Sequence, residues 1–145
     1  MLVIRNAVTT LIDEAHESAA DLALADGVVV SAAVAATVES DEIEVLDASG
    51  CVVTPGLVNA HHHLLQSAFR TLSGTRGVAM SDWLPTMAAA YGRVGIDPDL
   101  AHAAALVGVA EGLLSGVTTV ADHHLTWPED CDDVGIARAT ASAAS

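Results

Sequence analysis

The stretch Pro55-Gly56-Leu57-Val58-Asn59-Ala60-His61-His62-His63 decides how this chain is read. Pro-Gly punctuates the chain, and Leu57 to Ala60 then reads as a short strand, apolar on both faces as in a buried parallel sheet. Three imidazoles stand at its carboxyl end. Side chains alternate faces along a strand, so His61 and His63 point one way and His62 the other. Two nitrogen donors from one strand are half of a metal site. His62, facing away, reads as a packing or supporting residue.

Upstream, residues 1 to 54 carry short apolar runs with turn signals and no helical period. Leu2 to Ile4 reads as a strand. Leu22 to Ala25 and Val28 to Val30 flank Asp26-Gly27, a hairpin signal because both residues tolerate positive φ. Ile43 to Leu46 is a further strand, with a turn at Ala48-Ser49-Gly50. His16 falls in an acidic loop with Asp13, Glu14 and Glu17 and reads as a surface residue. These residues predict a small β-domain.

Downstream the pattern changes. A long connection runs through Ser73-Gly74-Thr75-Arg76-Gly77 and on through Trp83 to Tyr91. Asp97-Pro98 opens a helix, with Asp97 as N-cap and Pro98 as first helical residue. Leu100, Ala104, Val107, Leu113 and Leu114 give it an apolar side, and Ser115-Gly116 ends it. Val117 to Ala121 is a second buried-type strand, ending in Asp122-His123-His124. An acidic loop from Thr126 to Asp133 leads to a helix from Val134 to Ala144. Strand, crossover, helix, strand predicts an α/β fold. In such folds function gathers at the carboxyl ends of strands, where both histidine groups fall.

Composition narrows the function classes. The chain has 145 residues, 52% hydrophobic, with a net charge of −14. Its cations are all Arg. That balance excludes a cationic nucleic-acid surface and disfavours anionic membranes; it predicts an acidic, solvated exterior. Cys51 and Cys131 lack metal spacing and read as free thiols of a reducing compartment. Met1 to Arg5 is no signal peptide, and no apolar run is long enough to span a bilayer. The expected location is the cytoplasm.

The run Val53 to His63 resembles the amidohydrolase superfamily, as do the Asp26-Gly27 hairpin, the Asp47-Ala48-Ser49-Gly50 turn and Glu111 to Asp122. The resemblance covers about residues 2 to 135. His61-His62-His63 with Gln66 and Arg70, Trp83-Leu84 and Asp122-His123-His124 resembles a narrower group, the 8-oxoguanine deaminases and hydroxydechloroatrazine ethylaminohydrolases. The resemblance implies a β-sandwich-like composite domain, represented by residues 1–54. It implies that residues 55–145 begin a metal-dependent hydrolase (β/α)8 TIM barrel and supply its first two β/α units. It implies His61 and His63 as ligands of one divalent ion, zinc with iron as the alternative, and hydrolysis of a non-peptide C–N bond by metal-activated hydroxide. Gln66, His123 and His124 become substrate-binding candidates. The substrate is a small purine-like heterocycle; nucleic acid and membrane are not expected partners, and the full-length protein could form a homo-oligomer.

Other readings stay open at single residues. Gln66 is either substrate-facing or a loop-surface residue. Arg70 bridges carboxylates or touches substrate. Glu111, near a helix C-terminus where an acid is unfavourable, calls for a structural partner. Trp83 anchors the long connection, while Trp127 shields a site or packs at its rim.

A full barrel takes about 250 residues. The family's later His ligands, proton-shuttling Glu and last-strand Asp have no counterpart here, so general acid/base residues are not assignable. The chain is therefore expected to be an N-terminal fragment, inactive alone. One alternative is another amidohydrolase-superfamily deaminase, acting on guanine, cytosine, methylthioadenosine or a triazine. An alternative of another class is a non-catalytic metal- or partner-binding protein.

Overall fold

The computed structural model describes residues 1–13, 16–18, 21–30, 43–129 and 131–145, with backbone alone at 12, 13 and 16–18. Contacts divide the chain into two units, Met1–Pro55 and Gly56–Ser145.

In the first unit, strands β1 (Leu2–Arg5), β4 (Leu22–Ala25), β5 (Val28–Val30) and β6 (Glu44–Asp47) form a four-stranded sheet in the order β5-β4-β1-β6. Ala25 pairs with Val28 across Asp26 (φ 50°) and Gly27 (φ 77°). That left-handed pair is the turn Asp-Gly was expected to make. A second sheet, ordered β3-β2-β7, contains β2 (Thr9–Asp13), β3 (His16–Ser18) and β7 (Val52–Val53). The expected acidic loop around His16 is thereby corrected. Residues 16–18 are a strand paired antiparallel with β2, with a register irregularity between Leu11 and Asp13. The irregularity hides the two-residue period on which the sequence reading relied. Glu14, assigned to that loop, lies outside the described residues, as does residue 130 of the expected acidic loop after Thr126.

The second unit holds parallel strands β8 (Leu57–His62) and β9 (Val117–Asp122) and three α-helices: α1 (Met80–Val94), α2 (Pro98–Leu114) and α3 (Asp133–Ser142). Leu64–Phe69 forms a 3₁₀ segment. The expected long connection is thus largely helical. Trp83, Met87, Ala90, Tyr91 and Val94 recur at helical spacing, and Asp82 lies in the first turn. Pro85 masks this helix in the sequence, because it removes one backbone donor and normally signals a break.

Helix α2 begins as its sequence requires. Asp97 Oδ1 accepts the Leu100 N–H at 2.8 Å, and Pro98 follows the cap. Gly116 (φ 82°) ends it and turns the chain into β9. Asp132 caps α3 in the same way, through the Gly135 N–H at 2.8 Å. Leu65, Phe69, Met87, Ala90, Ile96, Ala101, Ala104 and Ile136 make the core of this unit. Phe69 meets Tyr91 edge-on at 4.7 Å.

Two glycines fix close approaches. A Cβ on Gly56 would lie 2.1 Å from Thr118 Oγ1 on the neighbouring strand. One on Gly108 of α2 would lie 2.8 Å from Leu64 Cδ2 and 2.9 Å from Ser67 Oγ. Small residues there let strand, 3₁₀ segment and helix meet. The expectation that β8 is buried on both faces is corrected: Leu57 is 57% exposed and Val58 67%. Among the described residues β8 pairs with β9 alone.

Candidate metal centre and substrate pocket

Strand β8 delivers its histidines through a local irregularity. Asn59 pairs with Val120 and His62 with Asp122, so β8 carries one extra residue between those pairs. Asn59 Oδ1 accepts the His61 N–H at 3.2 Å within it. Such bulges re-aim side chains. Here His61 Nε2 and His63 Nε2 come to 3.1 Å.

The backbone of β9 orients this pair. The His123 N–H donates to the His62 carbonyl at 2.7 Å. His63 Nδ1–H donates to the His123 carbonyl at 2.6 Å. With its proton on Nδ1, a neutral His63 presents a lone pair at Nε2, the arrangement a metal-binding imidazole needs. Ring nitrogens of His61, His63 and His123 all lie within 4.8 Å of one another. His63 and His123 rings stack at 5.5 Å, and His61 stands edge-on to both. Neutral imidazoles converging at this spacing suit zinc and similar divalent ions. The structure therefore has a potential histidine metal site.

Asp122 has a supporting part that the sequence reading did not assign. Its Oδ1 accepts the Leu64 N–H at 2.8 Å, capping the 3₁₀ segment immediately after His63. The tie between β9 and the chain following β8 holds the two strand ends in register.

Beside the histidines opens a cavity of about 760 Å³, lined among others by His63, Gln66, Trp83, Met87, Tyr91 and His123. A smaller one, about 280 Å³, reaches His61, His63 and Gln66. Gln66 borders both spaces, and Tyr91 lines the larger one with it. Partial burial pushes the Tyr91 phenol up from its ordinary value, with the nearby Gln66 side chain acting the other way. Sequence inspection missed Tyr91 as a neighbour of Gln66; the helical spacing of Trp83, Met87 and Tyr91 was the available signal.

The remaining candidates separate. His124 borders the larger cavity, but its Nε2–H donates to the Thr126 carbonyl at 2.8 Å and its ring lies 4.3 Å from that of Trp127. His62 turns toward α2, where its Nε2 would be 3.4 Å from a Cβ on Gly108. Arg70 forms an ion pair with Glu111, tying the end of the 3₁₀ segment to the last turn of α2. The guanidinium offsets an acid placed against the helix dipole. Trp83 packs against the main core, as an anchor of its segment would.

Comparison with known proteins agrees with this arrangement. The amidohydrolase family profile matches residues 52–144. Over 82 residues the chain is 43% identical to an 8-oxoguanine deaminase of Pseudomonas aeruginosa, covering 57% of this chain and 18% of that protein. Over 102 residues it is 34% identical to 5-methylthioadenosine/S-adenosylhomocysteine deaminase 2 of Archaeoglobus fulgidus, covering 70% of this chain and 23% of the relative. Among solved structures, atrazine chlorohydrolase of Arthrobacter aurescens TC1 complexed with zinc superposes with a TM-score of 0.78 at 31% identity, over 99% of this chain and 33% of that one. The chain thus spans about a fifth of those curated relatives and a third of that structure. A matched profile over most of the chain, with paired imidazoles at the end of β8, places this protein in the amidohydrolase family.

Proposed function

We propose that this protein is a metal-dependent aminohydrolase that removes an exocyclic amine from a purine-like heterocycle, as an 8-oxoguanine deaminase would. The observation that carries the reading is the 3.1 Å separation of His61 Nε2 and His63 Nε2, with His63 also lining a cavity of about 760 Å³. In this reading residues 1–54 belong to a composite β-domain of sandwich type. Residues 55–145 supply the first two β/α units of a (β/α)8 barrel; the parallel β8–β9 pair with α1 and α2 between supports this.

His61 and His63 hold one divalent ion, zinc or alternatively iron. When bound, such an ion supplies Lewis acidity and makes water available as hydroxide near neutral pH. The residues of this chain bind and orient. His63 keeps its proton on Nδ1, against the His123 carbonyl. Gln66 borders the cavity, where its amide can donate to or accept from the edge of a ring. Trp83 and Met87 give the apolar walls a planar ring requires. His124 stands at the rim, held by Thr126, as a weaker substrate contact. Among the described residues no carboxylate joins the histidine group, and this chain alone is expected to release no ammonia.

A second reading has its own support. The relatives also include a methylthioadenosine/S-adenosylhomocysteine deaminase and an atrazine chlorohydrolase, so the same site could serve a nucleoside or a triazine. The test is ammonia release from 8-oxoguanine, guanine, methylthioadenosine and amino-triazines by the whole protein. Preference for 8-oxoguanine supports the first reading; preference for methylthioadenosine or a triazine replaces it with the second.

A further inference from the structure

We infer that Tyr91 is a specificity-determining residue of the larger cavity, its phenol donating a hydrogen bond to a carbonyl oxygen on the ring of a neutral heterocyclic ligand. The inference rests on the aminohydrolase reading and deepens it, from a purine-like ring to one that carries a carbonyl acceptor.

The cavity face of α1 is the first argument. Met80, Trp83, Leu84, Met87, Ala88 and Tyr91 all line the space of about 760 Å³. They recur every three or four residues, so they form one stripe along the helix. The stripe is apolar until it ends in the phenol. A planar ring laid on such a wall gains contact along it, but its orientation is fixed by a polar group. On this wall that group is Tyr91.

Rigidity is the second. The Tyr91 ring packs against the main core and meets Phe69 edge-on at 4.7 Å, with the planes 87° apart. A ring held by packing offers its hydroxyl at little ordering cost. Partial burial raises the phenol pKa, so the group stays protonated, and a donor, at neutral pH.

Charge is the third. Among the described residues that line this cavity there is no arginine, and the chain has no lysine. The carboxylate that lines it, Asp122, has Oδ1 committed to the Leu64 N–H at 2.8 Å. A phosphate would find no cation here. The polar groups that remain are neutral: the phenol, the Gln66 amide and imidazoles. A carbonyl oxygen projects beyond its ring and accepts from a phenol or an amide N–H alike. It can reach these groups while the ring face stays on the apolar stripe.

The test uses the whole protein and three ligands without an exocyclic amine: purine, hypoxanthine and 8-hydroxypurine. Their inhibition constants are measured against ammonia release from 8-oxoguanine, in wild type, Tyr91→Phe and Met87→Leu, with circular dichroism on each. At least one carbonyl-bearing ligand should bind about tenfold more tightly than purine, and Tyr91→Phe should remove that gap. Met87→Leu, which changes the wall but no donor, should keep the gap within about twofold. A merely structural role for Tyr91 would weaken all three ligands together and leave the gap standing. If wild type releases ammonia but shows no gap, or if the gap survives in Tyr91→Phe, the inference is overturned and the aminohydrolase reading stands. If wild type releases no ammonia from any amino heterocycle and binds none of the three ligands, both fall together.

Discussion

The carboxyl ends of β8 and β9 carry similar text and do different work. His61-His62-His63 leaves β8 with two imidazoles converging at 3.1 Å. Asp122-His123-His124 leaves β9 with its three side chains dispersed: the carboxylate caps Leu64, one imidazole approaches the β8 pair, and the other is held by Thr126 and Trp127. The difference teaches that a strand end becomes a site through what its neighbour does to it. β8 supplies the nitrogens; β9 supplies the carbonyl that sets the His63 tautomer and the carboxylate that fixes the following turn.

That division of labour can be broken at β8 first. His63→Ala removes a donor and the bond to the His123 carbonyl together, so zinc affinity should fall by more than about 100-fold in a calorimetric titration. A fall below threefold would place the ion elsewhere. Gly56→Val separates the strands themselves. Its Cβ would strike Thr118 Oγ1 at 2.1 Å, and the cost should be about 3 kcal/mol of unfolding free energy, seen as a lower urea midpoint. An unchanged midpoint would mean that the β8–β9 apposition does not hold this unit.

The β9 side is probed by Asp122→Ala. Loss of the Leu64 cap should cost about 1 kcal/mol and weaken zinc binding by about tenfold without removing it. Equality with wild type in both readouts would deny Asp122 its supporting part. His124→Ala should leave zinc affinity within about twofold, since its donor is spent on Thr126; a loss like that of His63→Ala would reverse the contrast within β9.

The smallest effect lies in the cavity wall. Tyr91 is the chain's single tyrosine, so tyrosinate absorbance reads it alone. Burial raises its pKa above the ordinary 10.0. An acid whose folded pKa is raised contributes stability that is complete below the unfolded value and is lost as pH rises through the folded one. Stability should therefore decline above about pH 10, and Gln66→Leu should shift the phenol titration further upward. A midpoint at or below the free phenol value would contradict the half-buried setting of Tyr91.

How much of this was legible follows residue by residue. The Asp26-Gly27 hairpin and the Asp97-Pro98 helix start were readable because each rests on a local backbone preference that the residue itself imposes. Helix α1 was missed because Pro85 interrupts a stripe that packing nonetheless completes. Strands β2 and β3 were missed because a register irregularity breaks their alternation. At the site, the His-x-His spacing of His61 and His63 was legible, but the irregularity between Asn59 and His62 through which β8 delivers them was not. The carbonyl of His123 and the cap made by Asp122 were not legible either, because they depend on which strand lies alongside and in what register. Arg70 with Glu111 was half legible: a lone acid at a helix C-terminus calls for a cation, and the fold supplies it from 41 residues upstream.

The most direct test of a histidine metal centre at the end of β8 is zinc-edge X-ray absorption on the zinc-loaded chain, with the His61→Ala/His63→Ala double variant beside it. The account predicts light-atom scatterers at about 2.0–2.1 Å with the outer-shell pattern of imidazole, lost in the double variant. Identical spectra from the two proteins, or a wild-type spectrum with water oxygens and no imidazole pattern, would contradict it.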